Sequence, residues 1–326
     1  MRILKLAAAA LLAAPAMIVA SGPAHAQAWP AKPVKLVVPY PPGGSTDLLG
    51  RTVAAKLADA LGVQVIVENL AGAGGMVGSA AVARAAPDGY TFLLGTGASH
   101  GIVLFLSKSV PYDPVRDFTP ISAAVEVPIA LAVHPSVPAA NAKELVEHAK
   151  KNPGKLAYGS SGAGSPHHLS GELLKQVGAL DIVHVPYKGA GPAMQDLLGG
   201  QIPIVFTTLS TGLPHHRSGK IRILGLVEGK RQPSVPDVPT IGESIPGYLM
   251  PSSWLGFFGP ARMPEPIVAR LSAEIVKAVQ APDVKGKLEA AGMPVTGTSA
   301  EEFARMVRDD IESFRKIVQA AGLKPE

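Results

Sequence analysis

The chain has no cysteine among its 326 residues, so neither a disulfide framework nor a thiolate metal site can exist in it. Aromatic residues make up only 5% of it, and its Lys and Arg residues stand singly, without a basic block or an aromatic ladder. A nucleic-acid or membrane-surface partner is therefore not expected. Long apolar runs are confined to the beginning. Arg2 and Lys5 lead into the run Leu6–Ala20, and Ala24-His25-Ala26 has the small-x-small form of a cleavage site. That run is shorter than the roughly 20 residues a membrane-spanning helix needs. The expectation is a secretory signal over residues 1–26, cut after Ala26, with an uncleaved anchor as the alternative. Losing Arg2 and Lys5 lowers the formal charge from +5 to +3. The remaining chain, about 300 residues long, can bury about three-quarters of its unfolded surface and calls for two domains.

Several catalytic and cofactor signatures are also missing. There is no Walker lysine motif. In Gly72-Ala73-Gly74-Gly75-Met76-Val77 the last position of a dinucleotide fingerprint is Val rather than Gly. The pairs His167-His168 and His215-His216 place neighbouring rings on different faces, and no H-x-x-x-H spacing or acidic companion completes a metal site. No cofactor and no metal are expected.

What is present is a series of polar turns, each set where an apolar run gives way to an amphipathic one. The chain is organised around Tyr40-Pro41-Pro42-Gly43-Gly44-Ser45-Thr46-Asp47. The run Val34–Pro39 precedes it, and Leu49, Val53, Leu57 and Leu61 recur every four residues after it, the pattern of strand, turn and helix. Ser45 or Thr46 is placed to cap the helix, and Asp47 falls in its first turn, where negative charge is favoured. Such a turn gathers unpaired N–H groups and suits an anion. No Lys or Arg lies between Lys35 and Arg51, so main-chain dipoles would have to hold it.

The pattern then repeats. Val63–Val67 runs into a glycine turn and a helix near 76–86, and Thr91–Leu94 runs into Gly95–Gly101. Ile121–Val133 is long and apolar and reads as a crossing out of the first lobe. In the second lobe Asn141 caps a helix of about 142–151. Strand Lys155–Tyr158 leads to Gly159–Pro166, with Ser165 as N-cap and Pro166 as first helical residue. Strands follow at Ile182–Val185, Ile202–Phe206 and Ile221–Val227. Five prolines in Gln232–Pro251 mark a segment of fixed turns. Trp254–Phe258 reads as a second crossing, and three helices close the chain. Alternating strands and helices predict an α/β protein with mainly parallel sheets. The expected division is 27–128 with 253–326 as one lobe and 129–252 as the other. The ligand would then lie between them, at the C-terminal ends of the strands.

One motif points to chemistry instead. Gly97-Ala98-Ser99-His100-Gly101 has the G-x-S-x-G form of a nucleophile elbow, and an exported serine hydrolase could draw its base from His184, His215 or His216. No HGGG-type oxyanion motif precedes it.

Taken together, the turns resemble those of the solute-binding receptors of tripartite tricarboxylate transporters, the Bug group. The likeness runs through Val38–Asp47, Glu68-Asn69, Pro87–Thr91, Tyr158–Ser165 with His168-Leu169, Val185–Gly189 and Asp196–Gln201, nearly the whole mature chain. It implies a type II periplasmic binding protein: two α/β lobes closing on a small carboxylate held by amides, hydroxyls and water, in a periplasmic monomer that serves membrane transporter subunits and does no chemistry. Carried over by position, the first-lobe contacts come from Tyr40, Gly43, Gly44, Asp47, Thr96 and Ser99. The second lobe supplies Ser160, Ser161, Gly164, Ser165 and Tyr187, with His168 supporting its turn. After Phe206, where many relatives carry an acidic residue, this chain has Thr207 and Thr208, so that end of the site differs.

Overall fold

The computed structural model describes residues 29–320 and 322–325; the expected signal and its cleavage site lie outside them. The first unit runs β1 (Val34–Val38), α1 (Ser45–Leu61), β2 (Val65–Asn69), α2 (Met76–Ala83), β3 (Thr91–Thr96), α3 (Val103–Leu106) and β4 (Phe118–Glu126). The second runs β5 (Ile129–Val133), α4 (Ala142–Lys151), β6 (Leu156–Ser160), α5 (Pro166–Gly178), β7 (Ile182–Pro186), α6 (Ala190–Leu198), β8 (Ile204–Thr208), α7 (Leu209–Arg217), β9 (Arg222–Leu226) and α8 (Ile241–Ser244). Strand β10 (Trp254–Pro260) then returns to the first sheet, and α9 (Glu265–Gln280), α10 (Pro282–Ala290) and α11 (Ala300–Ala320) follow.

Two five-stranded sheets result, ordered β2-β1-β3-β10-β4 and β7-β6-β8-β5-β9. Within each, β1 to β3 or β6 to β8 pair in parallel, while the crossing strand, β10 or β5, runs against both its neighbours. Four of five strands in each sheet thus point one way, and the returning chain is the exception. The expected single crossing 121–133 is two strands in different sheets, parted at Val127-Pro128. Pro128 has no N–H to continue a ladder, so pairing stops there and can resume in the other sheet.

Burial follows strand alternation. Val34, Leu36 and Val38 face one apolar cluster with Leu49, Val53 and Leu57 of α1, whereas Val37 faces another with Trp254 and Phe258. Fully burying one such side chain contributes about 1.5–3 kcal/mol. Helix α11 belongs to both sheets' cores. Phe303 and Val307 pack into the first, and Phe314, Ile317 and Val318 into the second, with Leu169 and Leu173 of α5. The ring of Phe303 lies where a Cβ on Gly256 of β10 would come within 2.2 Å, so a side chain at 256 would push α11 off the sheet.

Two sequence expectations were met by cap chemistry. Asn141 accepts from the Glu144 N–H, and Ser165 accepts from the His168 N–H ahead of Pro166. One was not: α1 begins at Ser45 with Gly44 as its N-cap, and no side chain caps it. Ser45 and Thr46 are already within the helix, so their hydroxyls do not fold back onto its first N–H groups.

Candidate functional site

The turns after β1, β3, β6 and β8 meet across a cleft of about 880 Å³, within the range of small-molecule sites. On the first side Tyr40, Ser45, Thr46, Gly74 and Thr96 line it. On the second, Ser161, Gly164, Ser165, His167, His168 and Thr208 do so. Its floor is apolar, built from Val127, Ile129, Trp254, Leu255 and Phe314. No Asp or Glu is among the described residues that line it.

The first-side turn is held by a network of short bonds. The Tyr40 hydroxyl lies 2.8 Å from Thr96 Oγ1 and donates to the Gly74 carbonyl at 3.2 Å, so one phenol ties three turns together. Burial raises its pKa, and it stays a neutral phenol. Asp47 does not point into the cleft. Its Oδ2 accepts the Gly43 N–H at 3.1 Å and Arg51 Nε at 3.0 Å, and its Oδ1 accepts Asn69 Nδ2 at 3.0 Å. Burial alone would raise the Asp47 pKa, but the Arg51, Gly43 and Asn69 bonds outweigh it and hold the pKa below the ordinary carboxylate value. Gly43, Gly44 and Asp47 line a separate depression of about 550 Å³ beside Arg51, Lys56 and Asp283. The Tyr40–Asp47 turn therefore has two sides: Tyr40, Ser45 and Thr46 face the cleft, and the carboxylate braces the turn from behind.

Ser99 is fully buried. Its Oγ accepts the Thr96 N–H at 3.1 Å, its N–H donates to Thr96 Oγ1 at 3.1 Å, and His100 Nδ1 lies 2.9 Å from its Oγ. His100 is stacked on Phe258 with ring centres 4.1 Å apart, and burial drives its pKa down to about 3. The elbow-like motif is thus wound into a π-helical turn over Ala98–Ile102 with its serine turned inward. Two of the three histidines considered as its base are engaged elsewhere: His184 lies against Ser160, and His216 Nδ1 accepts the Ile223 N–H.

Imidazoles hold the second-side turn. Ser160 Oγ lies 3.1 Å from the Gly162 carbonyl and 2.7 Å from His184 Nε2. Ser161 Oγ lies 2.6 Å from His167 Nδ1, and His168 Nδ1 accepts the Gly164 N–H at 3.1 Å. His168 thus supports its turn, with Nδ1 accepting a glycine N–H. The rings of His168 and His184 stack at 4.0 Å. Burial lowers the pKa of both His167 and His184 to about 4, so both are neutral at pH 7.

The other candidate residues divide by strand register. Thr208 lines the cleft, while Thr207, one residue earlier and on the opposite face of β8, is fully buried. Ser160 is buried beneath its turn, and the Tyr187 hydroxyl donates to Asp196 at 2.7 Å instead of lining the cleft. The Tyr187 N–H nevertheless donates to the Ser160 carbonyl and fixes the turn from below. Sequence reading passed over Ser45 and Thr46 as cleft residues, having given them cap roles. It also had no signal for Phe314, some two hundred residues from the nearest polar turn of the first lobe. Behind the crossings, both oxygens of the buried Glu228 carboxylate accept the Ile129 N–H at 3.0 Å. Burial raises its pKa to about 8 even though N–H groups of Ile129, Glu228 and Ser253 pull it down.

The family described as tripartite tricarboxylate transporter family receptor matches residues 49–323. BugT of Bordetella pertussis is 34% identical over 93% of this chain and 94% of its own length. Among solved structures, R. palustris Rpa4515 with adipate is 34% identical, with a TM-score of 0.84 over 91% of this chain and 100% of that one. MatC from Rhodopseudomonas palustris with bound malate is 33% identical, with a TM-score of 0.79 over 89% and 99%.

Proposed function

The chain belongs to the tripartite tricarboxylate transporter receptor family, and from that premise we propose that it captures a small organic carboxylate between its lobes and delivers it to membrane transporter subunits. Proteins of this family are periplasmic solute-binding receptors, not enzymes. The observation that carries the reading is the cleft itself: turns from both sheets present hydroxyls and main-chain groups to one space, and no Asp or Glu is among its described lining residues. A carboxylate there exchanges water for neutral donors and meets no like charge. Rpa4515 with adipate and MatC with malate support a carboxylate as the ligand class.

In this reading the lobes are 27–128 with 253–326, and 129–252, and they hinge where the chain crosses at Val127-Pro128 and before Trp254. A ligand touching both lobes favours the closed form by its greater affinity for that form. Micromolar capture requires about −8 kcal/mol, which several neutral hydrogen bonds in a closing, water-poor cleft can supply against ordering costs. The protein acts as a periplasmic monomer after removal of residues 1–26. The contacts are assigned to Tyr40, Ser45, Thr46 and Thr96 on one lobe and to Ser161, Gly164, Ser165 and Thr208 on the other. Ser160, Tyr187, His168 and Asp47 hold those turns in place.

A thermal-shift screen with adipate, malate, succinate, citrate and benzoate tests this: at least one carboxylate raises the melting temperature and gives a saturable calorimetric isotherm. A flat response to all five rejects the reading. A fluorophosphonate probe should leave Ser99 unlabelled, and stoichiometric labelling there would restore the hydrolase.

A further inference from the structure

Beyond α11 the chain turns back over the cleft, and Gly322, Leu323, Lys324 and Pro325 form part of its wall. The turn is local chemistry. Gly322 takes the left-handed conformation at φ +64°, its N–H donates to the Gln319 carbonyl, and the Leu323 N–H donates to the Val318 carbonyl. That pair of bonds is the glycine-terminated helix ending in which the next apolar residue packs back onto the last turn. Leu323 does so, partly buried against the cluster that holds Phe314, Ile317, Val318 and Leu169. The following residue, Lys324, is exposed.

Lys324 differs in kind from everything else around the cleft. No other Lys or Arg and no Asp or Glu is among the described lining residues, and of the two histidines His167 is held neutral by burial. Among the described residues Lys324 has no ion pair and no hydrogen bond from its ammonium group. An ammonium with no counterion among the described residues, held by an anchored turn beside a space whose described lining includes no Asp or Glu, makes that space attractive to anions. We propose that Lys324 is a specificity-determining residue that pairs with a carboxylate of the bound metabolite, brought to the cleft by the Gly322 turn and the Leu323 anchor. This rests on the reading of the cleft as a carboxylate site and sharpens it: a ligand with a second carboxylate gains from Lys324 as well as from the neutral turns. Because α11 packs on both sheets' cores, the turn also keeps the lysine registered between the lobes.

A lysine just past a helix C-terminus also complements the helix dipole, and the experiment must separate the two roles. The full chain is compared with Lys324→Gln, Lys324→Arg and Leu323→Ser, using whichever of adipate, malate, succinate, citrate and benzoate gives the tightest isotherm. Lys324→Gln should bind about five- to tenfold more weakly with its ligand-free melting temperature unchanged, and Lys324→Arg should recover most of that loss. The difference between wild type and Lys324→Gln should shrink in about 0.5 M salt. Leu323→Ser, which keeps the charge and frees the turn, should also weaken binding. Equal affinity of Lys324→Gln and wild type overturns this inference while leaving the receptor reading intact. A lowered melting temperature with unchanged affinity also overturns it, in favour of the helix-dipole role. If the wild-type chain binds none of the five, the receptor reading itself fails and this inference fails with it.

Discussion

In the first lobe the Tyr40–Asp47 turn is fastened by a carboxylate, which takes the Gly43 N–H at 3.1 Å and Arg51 Nε at 3.0 Å. In the second, the Ser160–His168 turn is fastened by three imidazoles, with His184 2.7 Å from Ser160 Oγ and His167 2.6 Å from Ser161 Oγ. Both arrangements leave hydroxyls facing the cleft. They differ in when they fail. Bonds from Arg51, Gly43 and Asn69 hold Asp47 ionised to lower pH than an ordinary carboxylate, whereas burial holds His167 and His184 neutral. Two lobes with related topologies have thus solved the same problem with groups that both fail on acidification, the histidines at higher pH than the carboxylate.

Acid is the strongest way to break that symmetry. For a histidine whose folded pKa is depressed, the unfolded chain binds more protons between the two values, so stability is complete above about pH 6.5 and is lost as pH falls toward about 4. For His167 alone the loss is on the order of 3 kcal/mol. Asp47, depressed as a carboxylate, keeps its contribution through that window and loses it as pH falls below about 3.8 toward its lower folded value. Hydrogen exchange at pH 7 and pH 4.5 should therefore show the amides of Gly162 to His168 losing protection before those of Gly43 to Asp47. The reverse order would refute the assignment of the pins.

Removing the carboxylate should cost somewhat less. Asp47→Ala leaves the Gly43 N–H and the Asn69 amide without their partner and should lower stability by about 2 kcal/mol in urea unfolding. Its effect on affinity, about tenfold by calorimetry, is indirect, because the carboxylate lies behind the turn. If affinity fell with stability untouched, Asp47 would have to reach the ligand itself. Ser161→Ala, at a residue that does line the cleft, should show the opposite balance: about fivefold weaker binding with a change in stability of about 1 kcal/mol or less. The smallest effect belongs to Tyr187→Phe. It deletes only the bond to Asp196 and should leave affinity within about twofold of wild type, at a stability cost of about 1 kcal/mol. A larger drop in binding would place the phenol in the cleft after all.

Local chemistry was legible in the sequence wherever near neighbours decide the outcome. Asn141 and Ser165 cap their helices through N–H groups three residues on, and the period of Leu49, Val53 and Leu57 selects the buried face of α1 without help from distant residues. The same turns also announced that ligand-facing groups lie at strand ends. Their facing was not legible. Whether Ser99 or Thr96 turns outward depends on Tyr40, Tyr112 and Phe258 packing around the turn. Whether Asp47 turns outward depends on Asn69, which comes from another strand.

The sequence alone thus determined the alternation of strand and helix, the caps and the polar turns, because those depend on bonds and burial patterns spanning a few residues. Only the tertiary structure decided that β10 inserts between β3 and β4, that α11 joins both cores, and that Lys324 comes to rest beside turns far from it in the chain. The physical reason is that these outcomes depend on which apolar faces can cover one another once the sheets exist, a property of surfaces and not of neighbouring residues.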